Sequence, residues 1–123
     1  MKPIETVNAP GAIGPYSQGY EAGNLVITSG QLGLDPATGQ LPDSITEQTH
    51  QSCKNIGAIL AAAGVGYGNV VKTTCFLADI ADFSQFNAVY AEYFTSKPAR
   101  SCVAVKDLPK GALCEIEVIA VKE

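Results

Sequence analysis

Arg100 is the only arginine among the 123 residues, and it stands in Pro98-Ala99-Arg100-Ser101-Cys102 at the start of a predicted strand. A guanidinium at the entry of a sheet can fork onto a carboxylate with two parallel hydrogen bonds, which a lysine ammonium cannot do. An ordinary solvated or salt-bridged arginine would carry the same sequence signature. Fifteen residues on, Glu115 and Glu117 alternate with Ile116 and Val118 in CEIEVIAV, so both carboxylates share one face of the last strand with Ile119 and Val121. That mixture suits a partner surface or a cleft, where a carboxylate could hold a water and take its proton. An exposed polar strand face is the alternative.

Three further groups are candidates. Gly14-Pro15-Tyr16-Ser17-Gln18-Gly19 sets the Tyr16 phenol between residues that fix the backbone, and Thr28-Ser29-Gly30-Gln31 puts the Ser29 hydroxyl at a strand end before a glycine. Turns of this kind carry binding groups or serve only as turns. Cys102 would be a nucleophile only if a neighbour lowered its pKa, and Arg100 on the same strand is the one at hand; without a histidine an inert thiol is preferred. The four cysteines, at positions 53, 75, 102 and 114, match neither a paired metal clip nor a secreted disulfide framework, so free and mostly buried thiols are expected. His50 is the sole histidine. It reads as a solvated helix residue; lying in mid-helix, with Ser29 outside any G-x-S-x-G pattern, it makes no credible Ser-His triad, and one histidine excludes a His-rich metal site by count.

The elements that must hold these residues follow from pattern. Gln18 to Ala22 and Leu25 to Ser29 read as strands joined by a Gly23-Asn24 turn with positive backbone angles, and Asp35 to Asp43 as a loop. Ile45, Thr49, Cys53, Ile56, Leu60 and Ala63 recur at helical spacing behind a Ser44/Glu47 capping box, with Gly64 and Gly66 as the stop. A β-branched run from Asn69 to Ala78 predicts a strand, and Asp79 to Phe94 a second helix capped by Asp79 or Asp82, with Ile80, Phe83, Phe86, Val89, Tyr90 and Phe94 on its apolar face. Arg100 to Val105 and Leu113 to Val121 complete the order ββαβαββ, with a further short strand within Lys2 to Val7. Two amphipathic helices on one face of a mixed sheet make an α+β two-layer sandwich, one domain over residues 1–123.

Composition narrows the function. Eight basic against twelve acidic side chains give a net charge of -4, so nucleic acid is not the expected partner. No stretch reaches the length of a membrane span and the start does not resemble a signal peptide, so a cytoplasmic location is expected. With 46% apolar and 16% charged residues, so small a body is expected to leave apolar surface for further copies of itself.

In order, GPYSQG, ITSGQ, VVKTTCFL, FNAVYAEYF, PARSC and CEIEVIAV resemble the RidA (YjgF) family of reactive-intermediate deaminases over nearly the whole chain. The resemblance implies a chorismate-mutase-like fold and a homotrimer with its sites in the clefts between subunits. The activity implied is hydrolysis of 2-iminobutanoate and 2-iminopropanoate, released by enzymes such as threonine dehydratase, to 2-oxo acids and ammonia, with no cofactor. By the same resemblance Arg100 binds the substrate carboxylate and Glu115 holds the water, helped by the backbone carbonyl of Cys102. Tyr16, Ser29, Gly30 and Asn87 line the site. Two other functions are attached to such chains: an endoribonuclease or translation inhibitor, which the charge disfavours, and a non-catalytic ligand-binding or chaperone-like trimer, against which Arg100 argues. One departure is visible. Many members have a longer stretch and an aromatic residue before the PARSC segment, whereas here Phe94 is followed by Thr95-Ser96-Lys97. Lys97 either adds a second cation beside the carboxylate or faces water.

Overall fold

The computed structural model describes all residues, Met1–Glu123. Strand β1 is Lys2–Ile4, β2 Gly19–Ala22 and β3 Leu25–Thr28, followed by a two-residue strand β4, Gln31–Leu32. Helix α1 spans Ile45–Ala62, β5 Val70–Leu77, α2 Phe83–Tyr93, β6 Ala99–Ala104 and β7 Cys114–Val121. The sheet runs β1-β2-β3-β7-β5-β6, with β4 also paired to β7; every pairing is antiparallel except β5 with β6. The expected α+β two-layer sandwich is present.

Local chemistry accounts for the elements. Gly23, at φ 61°, opens the two-residue turn between β2 and β3. Asn24 stays at negative φ, so only one of the two expected positive angles occurs, the pattern of a II′ turn with glycine first. The whole predicted α1 stripe is buried: Thr49, Cys53, Ile56 and Leu60 are fully inaccessible, and Ile45 and Ala63 nearly so. Ser44 caps the helix by accepting from the Glu47 N–H at 3.1 Å, and Gly64 leaves it at φ 79°.

β7 alternates strictly. Cys114, Ile116, Val118 and Ala120 enter the core under α1, while Glu115, Glu117, Ile119 and Val121 stay half-buried on the other face. The nineteen-residue core lies between that inner face and the two helices, and the outer face has no helix over it. Val103, Tyr20, Leu25 and Ile27 remain exposed there, at 38–46%. No helix is long and apolar enough to cross a membrane.

Three expectations are corrected. Asp79 caps not α2 but a separate 3₁₀ turn at Ile80–Asp82, accepting from Ala81 N at 2.9 Å, and the side chain of Asp82 caps nothing. Ile80, expected on the apolar face, is therefore 56% exposed. His50 is not free in solvent: its Nδ1 hydrogen-bonds Tyr93 Oη at 2.8 Å. The four thiols are unpaired, and only Cys102 is partly accessible.

Candidate active site

Ser29 and Gly30 break what would otherwise be one strand along β7. β3 pairs Ile27 with Ile119, and β4 resumes by pairing Leu32 with Glu115. Across the break, Thr28 Oγ1 accepts from Val118 N at 3.1 Å, replacing a ladder bond. The gap lets the Glu115 side chain fold against Gly30: a β-carbon there would lie 2.7 Å from Glu115 Cδ. Any side chain at this position would displace the carboxylate, and only glycine allows the approach.

The Ser29 hydroxyl is occupied, donating to Ser17 O at 2.5 Å, while Ser29 N donates to Gln18 O at 2.9 Å. Ser29 thus fastens the loop carrying Tyr16, whose ring is half exposed. Gln18 supports the same loop, taking the Thr6 N–H on its Oε1 and donating to the carbonyls of Thr6, Ala9 and Pro10. Sequence reading missed this buried amide. Tyr16, Ser29, Gly30, Lys110, Glu115 and Glu117 line one open cavity of about 630 Å³. Burial, and then the neighbouring Glu117, raise the Glu115 carboxyl above its ordinary range.

Arg100 lies in a second cavity, of about 500 Å³, with Asn87 and Tyr90. Its Nη1 donates to Asn87 Oδ1 at 2.6 Å, and its guanidinium carbon sits 4.7 Å from the Tyr90 ring centroid and 5.6 Å from that of Phe83. Phe83, Asn87 and Tyr90 are spaced i, i+4, i+7 on α2, so one helix face delivers all three contacts. Tyr90 is fixed in turn by Thr73 on β5, Oη to Oγ1, 2.8 Å. Two rings and an amide orient the fork. Arg100 has no carboxylate partner, since the chain's ion pairs are Lys2 and Lys122 with Glu21. Asn87 was expected only from the family resemblance, although a polar side chain amid Phe83, Phe86 and Tyr90 is a signal that could have marked this face.

Cys102 stands beside Cys75 in the β5–β6 register. Burial pushes the Cys102 thiol up, against a smaller pull from Arg100, and Cys75 is pushed up to about 12. Neither side chain is suited to nucleophilic attack. The main chain of β6 is more useful. Val105 N donates to Leu77 O, and alternation along a parallel strand then turns the N–H and C=O of Arg100, Cys102 and Ala104 outward from the sheet edge.

The two cavities share no lining residue. Register explains why: Arg100 lies opposite Thr73, on the helix-covered face, whereas Glu115 lies opposite Phe76, on the open face. One chain therefore presents the Arg100 guanidinium and the Glu115 carboxyl on opposite sides of its sheet.

Fold and geometry together define a class of protein, a two-layer α+β domain with an oriented, unpaired arginine at an edge of its sheet and a half-buried glutamate on the uncovered face. The chain belongs to the RidA/YjgF family: the family profile described as Endoribonuclease L-PSP matches residues 6–122. It is 50% identical to the 2-iminobutanoate/2-iminopropanoate deaminases of Escherichia coli K12 and Salmonella typhimurium LT2, over 98% of this chain and 98% of each relative. Among solved structures, E. coli TdcF with bound serine superposes with a TM-score of 0.97 at 46% identity, covering 100% of both chains. The YjgF gene product of E. coli gives 0.97 at 49% identity, again covering both chains completely.

Proposed function

We propose that this protein hydrolyses 2-imino acids such as 2-iminobutanoate and 2-iminopropanoate to 2-oxo acids and ammonia, at sites formed between copies of the chain in a homotrimer. The observation that carries the reading is the half-site division: an arginine held ready for an anion and a glutamate held ready for water, neither able to reach one small substrate within a single chain. The relatives named as deaminases of these imines, and the serine bound by TdcF, support a substrate of amino-acid size. The apolar open face supports self-association.

The chemistry follows from the groups. A 2-imino acid carries an electrophilic C=N carbon beside its carboxylate. Arg100, aimed by Asn87 and the two rings, takes the carboxylate through two parallel hydrogen bonds and fixes the carbon. Glu115 of the adjoining copy accepts a hydrogen bond from a water, with the outward carbonyl of Cys102 as second acceptor. Water adds to the carbon as Glu115 takes its proton and passes it to the imine nitrogen, giving a carbinolamine; Glu115 then takes the hydroxyl proton as the carbonyl forms and delivers it to the amine, which leaves as ammonia. A carboxyl held above its ordinary range by burial, and then by Glu117, suits both halves of that transfer. Tyr16 and Gly30 wall the water side.

The family profile's name points to RNA cleavage, but one arginine and a net charge of -4 supply no groove for phosphates. Coupling the protein to threonine dehydratase and following 2-oxobutanoate and ammonia release tests the proposal. Arg100→Ala should fall to the uncatalysed rate with its fold intact; wild-type rates in that variant would reject the role of Arg100.

A further inference from the structure

The cavity around Arg100 holds a second cation. Lys97 lines it, and none of the residues lining it is acidic. Neither Lys97 nor Arg100 enters an ion pair, so the cavity carries two uncompensated positive charges on a chain that is negative overall.

The backbone of Lys97 is unusual as well. Its φ is 55°, and it is one of two non-glycine residues in the chain with a positive value. It also precedes Pro98, a position that favours extended backbone at negative φ. The conformation is held by the Lys97 N–H on Phe94 O at 3.2 Å, where the chain leaves α2 for β6. Such strain persists where the surroundings impose it and concentrates at ligand clamps. Here it carries the lysine stem into the wall of the Arg100 cavity.

A monocarboxylate satisfies only one of the two cations. Arg100, with its fixed fork, takes the 1-carboxylate beside the imine carbon. The Lys97 ammonium, a mobile point charge on a long stem, suits a second anionic group further along the substrate. We infer that the Lys97–Arg100 cavity recognises 2-imino diacids, the imines of acidic amino acids, and that Lys97 sets this specificity. The inference rests on the deaminase reading and extends it: water adds to the imine carbon of 2-iminosuccinate or 2-iminoglutarate as it does to the shorter imine, releasing ammonia and a 2-oxo diacid.

Calorimetric titration of the intact, assembled protein with 2-oxoglutarate and with 2-oxobutanoate tests it, the quantity read being the ratio of the two affinities. The wild type should bind the diacid about tenfold more tightly, the gain of one charge-assisted contact. Lys97→Met should bring the ratio close to one, and Lys97→Arg should preserve it. Equal affinities in the wild type, or a preference that survives Lys97→Met, would overturn the assignment. If 2-oxobutanoate binds and is displaced by Arg100→Ala while the diacid gains nothing, only the diacid specificity falls. If neither acid binds and the wild type leaves imine hydrolysis at its uncatalysed rate, the deaminase reading falls with it.

Discussion

Gly30 and Glu115 are a pair in which one residue exists to make room for the other. An alanine at position 30 would put its methyl carbon within 3.0 Å of three Glu115 side-chain atoms, and the carboxylate must swing away. Gly30→Ala should therefore fold normally, with an unchanged far-UV spectrum, yet lower kcat about a hundredfold, the usual consequence of misplacing a base by an ångström; an unchanged kcat would refute the positioning. Glu115 also ties stability to pH. Its folded pKa is raised by burial and by Glu117, so its stabilising contribution is full below the ordinary carboxylate value and is lost as pH climbs through the raised one. In an Arg100→Ala background, where no guanidinium can reach it from another copy, Glu115→Gln should raise the melting temperature at about pH 7, and the gain should vanish toward about pH 4. A gain that persists in acid would point to a packing effect instead.

Elements were legible where many residues repeat one message. The α1 stripe has six positions in phase, and all six are buried; the β7 alternation places every one of its eight side chains. A two-residue strand has no period, so β4 was hidden among the glycines, and the break that creates the Glu115 pocket was hidden with it. The 3₁₀ turn before α2 escaped for a related reason, since Asp79 and Asp82 are equally good caps by type and only geometry selects one. The candidate site residues stood out by kind, a lone arginine and an alternating glutamate, because chemistry depends on residue type. Their relation was not. Alternation gives the parity of Arg100 within β6 and of Glu115 within β7, but nothing in either segment says which parity of one matches which of the other. That is decided by the pairing of both strands with β5. The buried amides of Gln18, Gln48 and Asn55 were not legible either: Asn55 Nδ2 holds the carbonyls of Leu32 and Leu34, and Gln48 joins Pro42 to Leu113. A glutamine that satisfies loop backbone and one that faces water look identical in sequence.

At the scale of the molecule, the opposition of Arg100 and Glu115 would, on the proposed function, make assembly a condition of catalysis and not merely of stability. β6 is one of the two edge strands of the sheet and carries Arg100, while the uncovered face carries Glu115 among exposed apolar side chains. In the homotrimer proposed above, a closed ring would bring the edge of each copy to the face of the next, so that every seam would draw its cation from one chain and its base from another. Two inactive variants should then rescue one another. Co-expressed Arg100→Ala and Glu115→Gln chains, mixing at random, place an intact arginine opposite an intact glutamate in about a quarter of the seams, and should recover about that fraction of wild-type imine hydrolysis. Each variant alone should show none, and mixing the separately assembled proteins without subunit exchange should restore nothing. If arginine and glutamate instead served one site within a single chain, no mixed assembly would contain a complete site, and the co-expressed sample would stay as inactive as its parents.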